Sequence, residues 1–288
     1  MTASTAPRVA ADAVSVIGRG VVAERLRRAT TERHRLVGSD AASLRRARVA
    51  VLATEGPHAA RAAELLAAGI DVVSTSGSTQ DVRELLDLDD LALSNEATLV
   101  VGAAVSPGLS GLLARHLTGS MERCEELHVA VHGTAGPACA REHHRALRGW
   151  AVGWHDGEWI ERPAGAGREL CWFPEPVGAR DCYRAELPDP WLLHRSFPDV
   201  ERISARTSAT RRDRFTARLP MLSPPHREGG IGALRVEARG HDERSQRSTL
   251  IMGVAELLGT AEAAIAATLV DHLRTANVAP GVVTSSDT

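Results

Sequence analysis

The sequence predicts an α/β protein: an abbreviated Rossmann-type parallel sheet, followed by a second α+β domain with a mixed or antiparallel sheet. Three observations carry that reading. From Ala13 to about Leu117, short β-branched runs alternate with Ala/Leu/Arg segments of helical spacing, the pattern of successive βαβ units. A glycine turn, Gly18-Arg19-Gly20-Val21-Val22-Ala23, separates the first strand from the first helix. The composition then changes: the five Trp, three Phe and single Tyr all lie between Trp150 and Phe215, in a stretch rich in Gly and Pro. The expected division is a flexible tail at 1–12, a dinucleotide-binding domain at 13–120 and a substrate or dimerisation domain at 121–255. A closing helix within 256–288 packs back on the first domain.

Residues 1–12 are small and polar and read as a loose tail. Ala13 to Ile17 is a short apolar strand, and Val21 to Thr31 an amphipathic helix with Val22, Leu26 and Ala29 inward. A strand follows at Arg35 to Gly38, and a buried one at Arg48 to Thr54. Ala59 to Ala68 is a helix closed by Gly69, since a residue without Cβ takes the left-handed conformation that ends helices. Ile70 to Thr75 is a strand, Val82 to Leu86 a helix, Ala97 to Ala103 a strand, and a further helix runs to about Leu117. In the second half the strands are Leu127 to His132, Gly149 to Trp159 with a turn at Asp156-Gly157, Val200 to Thr210, Gly232 to Arg239 and Ser248 to Val254. An Ala-rich helix from Thr260 to Ala276 ends the pattern.

Charge excludes several functions. With 34 basic and 36 acidic side chains the net charge is -2, so no strong field collects nucleic acid or a membrane surface, and neither is an expected partner. Apolar runs fall short of the roughly 18 residues a membrane helix needs. Every basic residue is arginine. Without lysine the chain builds no Walker-type phosphate loop, no Schiff base and no Tyr/Lys dehydrogenase pair. The four cysteines form no Cys-x-x-Cys pair and no apolar signal segment precedes them, which reads as a reduced, cytoplasmic chain. His132, His143, His144 and Cys139 lack zinc-site spacing, so no metal is expected.

The glycine turn is a G-x-G-x-x-A that follows a strand and opens a helix. The first glycine makes the tight turn, the second lets backbone approach a pyrophosphate, and the small third residue packs helix on strand while the helix N-terminus faces the phosphates. Gly18, Arg19, Gly20, Val21 and Val22 are therefore the phosphate candidates. Asp40, 20 residues beyond Gly20, ends the second strand where an acidic side chain holds a ribose 2′-hydroxyl. Arg19 instead suits a 2′-phosphate, which leaves NAD against NADP open. Only seven residues separate Asp40 from Arg48, too few for a helix and third strand, so the adenine side is abbreviated. Ligands of an open α/β sheet sit beyond the carboxyl ends of its strands, which adds Thr54, Glu55, Gly56 and His58, then Ser74 and Ser76, then Ala104, Ser106, Pro107 and Gly108.

The Gly18/Gly20/Ala23 turn, the Thr-x-Gly-Pro-His loop at 54–58, Ala-Gly-Ile-Asp-Val-Val at 68–73 and above all Gly102-Ala-Ala-Val-Ser-Pro-Gly-Leu-Ser110 resemble the saccharopine dehydrogenase-like oxidoreductases. The resemblance covers residues 13 to about 117 and, loosely, Val278-Ala-Pro-Gly-Val-Val-Thr284. It implies a nicotinamide-dependent oxidoreductase, often acting at a carbon–nitrogen bond of an amino-acid-derived substrate. The middle of the chain varies widely in such proteins, and the substrate does not follow from the likeness.

In that middle, Gly133-Thr134-Ala-Gly136-Pro137 feeds a helix N-terminus whose free N–H groups suit a substrate carboxylate, with Arg141 for a bidentate contact. The position looks like the carboxylate loop of dihydrodipicolinate-reductase-like enzymes, although their lysine and their Asp-Ala-Pro-Ser-Gly are absent. Arg211 and Arg212, in a run of arginines, are further carboxylate candidates. Reduction of an imine or ketone needs a proton beside the hydride, and histidine has the pKa for it. His143 and His144 diverge by about 100° on a helix, so one at most faces a site. His226, in a Pro/Gly loop, and Tyr183, in the aromatic segment 169–191, are rivals. That segment reads as core and interface, which suggests a homodimer. The expected function is NAD(P)-dependent oxidation or reduction of a small carboxylated substrate; the alternative is a dinucleotide- or metabolite-binding sensor that kept the fold and lost catalysis.

Overall fold

The computed structural model describes residues 13–221, 224–276 and 278–287, so the expected tail at 1–12 lies outside the described residues. In chain order the first part runs β1 (Ala13–Ile17), α1 (Val21–Thr31), β2 (Arg35–Val37), α2 (Ala41–Leu44), β3 (Ala47–Leu52), α3 (Ala59–Ala67), β4 (Asp71–Ser74), α4 (Thr79–Leu86), α5 (Asp89–Ser94), β5 (Thr98–Val101) and α6 (Leu109–Thr118). It continues with β6 (Arg123–His132), α7 (Pro137–Ala146), β7 (Trp150–His155), β8 (Glu158–Pro163), β9 (Glu169–Trp172), β10 (Ala179–Arg184), α8 (Asp189–Ser196) and β11 (Arg202–Ser208). The last elements are α9 (Arg211–Thr216), β12 (Ile231–His241), β13 (Arg247–Leu257), α10 (Leu258–Thr275) and β14 (Gly281–Thr284).

The first sheet is parallel throughout, in the order β2-β1-β3-β4-β5-β14. Its strands are apolar on both faces because helices cover both. Val14, Val49, Val51, Val73 and Val100 point to one side, against Ala23 and Leu26 of α1, Ala114 of α6 and Ala266 and Val270 of α10. Ala50, Leu52, Val72, Leu99 and Val101 point to the other, against α3, α4 and α5. The chain leaves β1 for β2 on one side and returns to β3 on the other, so strand order reverses between β1 and β3. Between β2 and β3 there is only the four-residue α2, and the third strand of a full Rossmann half is missing, as the short spacing required.

The second sheet has the order β13-β12-β6-β11-β10-β9, with β7 against β11 and β8 against β7. β6 and β11 run parallel and the other pairs antiparallel, which makes the sheet mixed. One apolar core continues from the first sheet into it through Leu127, Val129, Ile203, Leu234 and Val236. α10 packs along α1 and touches β3 and β4 on one side and β12 and β13 on the other. The carboxyl ends of β1, β3 and β4 therefore face α7 across a cleft. The structure adds elements to the sequence pattern: α2, α5 and α9 are additional, the segment at 169–191 holds β9, β10 and the start of α8, and Gly281–Thr284 is a sixth parallel strand beside β5.

Candidate functional site

The glycine turn has the geometry its spacing demands. Gly18 has φ +148°, and a Cβ there would lie 2.1 Å from the Ala53 carbonyl oxygen and 3.2 Å from the Ala23 side chain. Strand, turn and helix are thus in backbone contact, which only glycine permits. Gly20 is different. It caps α1 at φ -83°, no side chain caps the helix, and a Cβ at Gly20 would meet nothing within 4 Å. The first N–H groups of α1 therefore face open space. Arg27 steadies the turn, with Nη2 donating to the carbonyls of Val16 (2.9 Å) and Gly18 (2.5 Å). Arg19 is exposed, and Val21 and Val22 are half-buried.

Asp40 is spent locally. Its Oδ1 accepts from the backbone N–H of Ala42 (3.1 Å) and Ser43 (3.0 Å), and its Oδ2 from the Ser43 hydroxyl (2.6 Å). These bonds, the Ser43 hydroxyl first, hold the carboxyl below the usual range. The spacing that assigned Asp40 to a ribose is the spacing of a helix cap, because the missing third strand makes the chain turn at once after β2.

Several loop candidates bind each other instead of facing the cleft. His58 is 1% exposed. Its Nδ1 is hydrogen-bonded to Ser74 Oγ (2.8 Å) and its Nε2 to the Thr54 carbonyl (3.1 Å), which ties the loop after β3 to the end of β4. Burial holds this imidazole below its ordinary pKa. Asp81 of α4 accepts the backbone N–H groups of His58 and Ala59 and so caps α3 from a neighbouring element. Ser76 is buried. Ser106 and Ser110 donate to the two oxygens of Asp189, at 2.7 and 2.5 Å, inside the protein. Gly108 has φ +144° with its Cβ position 2.2 Å from the Ala104 carbonyl oxygen, so Ala104, Pro107 and Gly108 form a closed knot at the end of β5. Glu55 and Gly56 are the candidates of these loops that line open space.

Pro137 stands in the first turn of α7, where its missing N–H costs nothing. The helix then aims successive side chains in three directions. Arg141 reaches back to the first sheet and forks onto Glu55, Nε to Oε1 at 2.9 Å and Nη2 to Oε2 at 2.6 Å. The guanidinium expected to hold a substrate carboxylate thus already holds one from its own chain. Glu142 faces a cavity of about 1020 Å³ that also touches Glu55, Gly77, Asp81, Arg145 and Glu186. Its carboxylate lies 3.1 Å from the Cβ position of Gly77, so the glycine makes room for it. Burial raises the Glu142 pKa; Arg145 opposes this, and Asp81 and Glu55 add to it. Glu262 of α10 is pushed up to about 8, by burial first and then by Glu142. His143 points the other way, its Nδ1 3.2 Å from Thr207 Oγ1, into a second cavity of about 590 Å³. His144 donates through Nε2 to the Leu219 carbonyl at 2.8 Å. The two histidines diverge as helical geometry requires.

No family model and no curated protein matches the chain. Among solved structures, saccharopine dehydrogenase (L-Glu forming) from Saccharomyces cerevisiae superimposes with a TM-score of 0.63 at 14% identity, over 96% of this chain and 94% of that one. The chain shares its fold with saccharopine dehydrogenase. DAP dehydrogenase from C. glutamicum, solved in complex with DAP, has a TM-score of 0.54 at 10% identity over 96% and 93% of the two chains. The amine dehydrogenase of Mycobacterium smegmatis has 0.52 at 12% identity over 97% and 96%. The resemblance read from the glycine turn and the Pro-Gly-Leu-Ser loop therefore holds at the level of the fold.

Within this saccharopine dehydrogenase fold the remaining candidates disperse. Tyr183 is 3% exposed and lies under the Arg214 guanidinium, 4.1 Å from the ring centre, so it is a core residue and not a proton donor at a cleft. His226 is exposed and accepts the Glu228 N–H at 3.3 Å. Its loop does reach α1: the Gly136 Cβ position lies 3.4 Å from the Arg227 carbonyl oxygen and 3.6 Å from Val21, and Arg25 pairs with Glu228 at 3.6 Å. Arg211 and Arg212 are exposed on α9, whose capping box is Thr210 with Asp213, and they line neither cavity. Gly133 and Thr134 line the smaller cavity with His143. Glu142 and Glu186, which line the larger cavity, are not among the residues the sequence singles out; the one signal for them is the Glu142-His143-His144 run, where histidine has the pKa nearer neutrality.

Proposed function

We propose that the protein is an NAD(P)-dependent oxidoreductase acting on a small, amino-acid-like substrate. The observation that carries this reading is the contrast between Gly18, locked against Ala53, and Gly20, open beyond an uncapped helix N-terminus at the point where strand order reverses. A pyrophosphate fits that opening, held by the N–H groups from Gly20 onward and by Arg19. Reduced nicotinamide, when bound, supplies a hydride. Because Asp40 is spent on its cap while Arg19 stands exposed, the 2′-phosphorylated dinucleotide is the preferred form.

The larger cavity supports the substrate class. Among the described residues, Glu142 and Glu186 make no hydrogen bond or ion pair there, and neither do Arg145 and Arg148. Two carboxylates facing two guanidinium groups, Glu142 toward Arg145 and Glu186 toward Arg148, without a hydrogen bond between them, suit a ligand with both ammonium and carboxylate groups. Among the described residues no histidine lines this cavity, so proton transfer falls to Glu142, which burial keeps protonated to higher pH than an ordinary glutamate. A homodimer is part of the proposal. Edge strand β9 exposes Leu170 at 55% and Trp172 at 68%, apolar side chains that a second copy would cover. Light scattering that returned a single 30.7 kDa chain would remove the dimer.

Titration with NADPH and NADH, followed by nicotinamide fluorescence, tests the central reading. The control is Gly20→Trp, whose Cβ enters open space and whose indole would fill the room in front of the helix N-terminus. Saturable binding that favours NADPH and vanishes in a control of unchanged Tm is expected. Failure of both nucleotides to bind overturns the proposal and leaves the fold as a scaffold for another ligand.

A further inference from the structure

On the far side of α7 from the cleft lies the smaller cavity, about 590 Å³, between the carboxyl ends of β6 and β11, the edge strand β9 with its neighbour β10, and the start of α9. Its size falls within the range of small-molecule sites. Its polar lining comprises two carboxylates, one guanidinium, two imidazoles and three hydroxyls. Asp181 is paired with Arg168 at 2.9 Å. Asp213 directs Oδ2 at the N–H and hydroxyl of Thr210, at 2.8 and 2.7 Å. Arg180, by contrast, gives only Nη1 to the neighbouring Ala179 carbonyl at 2.8 Å, leaving the rest of its fork for a ligand. The Thr134, Ser208 and Thr210 hydroxyls stand around it.

The two imidazoles complete the set. His132 uses Nδ1 on the Ser208 hydroxyl at 2.6 Å, and His143 uses Nδ1 on the Thr207 hydroxyl at 3.2 Å. Thr207 Oγ1 donates to the Val131 carbonyl at 3.4 Å, so toward His143 it accepts; Nδ1 carries the proton, and Nε2 keeps its lone pair. Among the described residues neither Nε2 has a hydrogen-bond partner. His143 faces Asp213 from α9, which favours its charged form, and His132 from β6 and its neighbour His144, which oppose it. His132 faces Arg180 from β10. Burial keeps both rings neutral above their lowered pKa values, ready to take a proton when a negative charge arrives. Leu170, Ala179 and Ala209 supply an apolar wall for a carbon skeleton.

We propose that this second cavity is a binding site for a small organic carboxylate, gripped by Arg180 and by the imidazoles of His132 and His143, and separate from the cleft that receives the dinucleotide. The inference does not depend on the redox reading. Because α7 carries His143 toward this cavity and Glu142 toward the other, the two sites share one wall.

Succinate is the probe and inorganic phosphate the comparison. The imidazole signals of His132 and His143, assigned with His132→Asn and His143→Asn, are followed by NMR during the titration. Succinate is expected to shift both rings, to bind more weakly by roughly tenfold at about pH 8 than at about pH 6, and to lose roughly tenfold in affinity in Arg180→Gln, whose exposed site leaves the fold intact. Absence of any shift at millimolar succinate overturns the proposal, as does an Arg180→Gln protein that binds like the parent. Phosphate binding as tightly as succinate would overturn the carboxylate assignment. Loss of nucleotide binding in Gly20→Trp with succinate binding intact keeps this outcome distinct from that of the dinucleotide reading.

Discussion

Gly18→Ala and Gly20→Ala form a matched pair, two positions apart, for which the structure gives opposite outcomes. At Gly18 the added methyl would lie 2.1 Å from the Ala53 carbonyl oxygen at a φ of +148°. Neither side can yield easily. Val16 and Ile17 are in register with Val51 and Leu52, and the Ala53 N–H bonds the Ile17 carbonyl at 2.8 Å, so moving Ala53 means parting β1 from β3. Overpacking of this kind costs about 1–3 kcal/mol, and a non-glycine residue held in such a backbone conformation about 1–3 kcal/mol more. Together, about 2–6 kcal/mol lowers Tm by roughly 5–20 °C for a chain of this size. At Gly20, with φ -83° and nothing within 4 Å, the methyl is free, and Tm should stay within about 2 °C. Thermal unfolding by circular dichroism measures both. Equal midpoints would refute the account of the turn as a backbone contact that needs glycine at one position and only open space at the other.

Three further outcomes follow from the same coordinates. His58→Ala empties a fully buried ring site and removes the Ser74 hydroxyl's partner inside the protein, and should cost about 2–4 kcal/mol in urea unfolding; a loss under about 1 kcal/mol would make the bridge between the two loops dispensable. Glu262, raised to about 8 in the folded protein and near 4.5 when unfolded, contributes stability that is complete below about pH 4.5 and lost as pH rises through its folded value. Glu262→Gln should therefore gain in Tm relative to the parent between about pH 5 and pH 8, and a constant difference would mean the carboxyl ionises normally. Arg141→Gln breaks a pair whose side chains are both 44% exposed, so unfolding in urea should change by less than about 1 kcal/mol; a larger loss would mean the latch across the cleft is held by more than surface attraction.

Much of the first sheet was legible because its determinants are local. The strand Ala13–Ile17 and the helix Val21–Thr31 have the expected bounds, since an apolar run, a glycine turn and a helical stripe all lie within twenty residues or so. Asp156-Gly157 makes the turn between β7 and β8, with φ values of +50° and +89° that suit Asp-Gly. β9 and β10 carry no clear strand pattern because Arg180-Asp-Cys-Tyr-Arg184 mixes charge with apolar residues, and β14 carries none because four residues become a strand only when β5 is there to pair with.

The candidate site divides along the same line. Its phosphate turn is written in the spacing of Gly18, Gly20 and Ala23, because one strand–turn–helix unit fixes that geometry by itself. The sequence also settles that no lysine chemistry operates and that the adenine half is short. Tertiary structure alone decided which charges are already spent. Arg141 meets Glu55 across 86 positions, and Ser106 meets Asp189 across 83. It also decided that Asp40 closes a helix, that His58 is an internal strut, and that Glu142 and His143, adjacent in the chain, open onto different cavities. Periodicity reports which face of an element is apolar, but the partner of a polar side chain depends on which elements the shared core brings together, and that is a property of the whole packed chain.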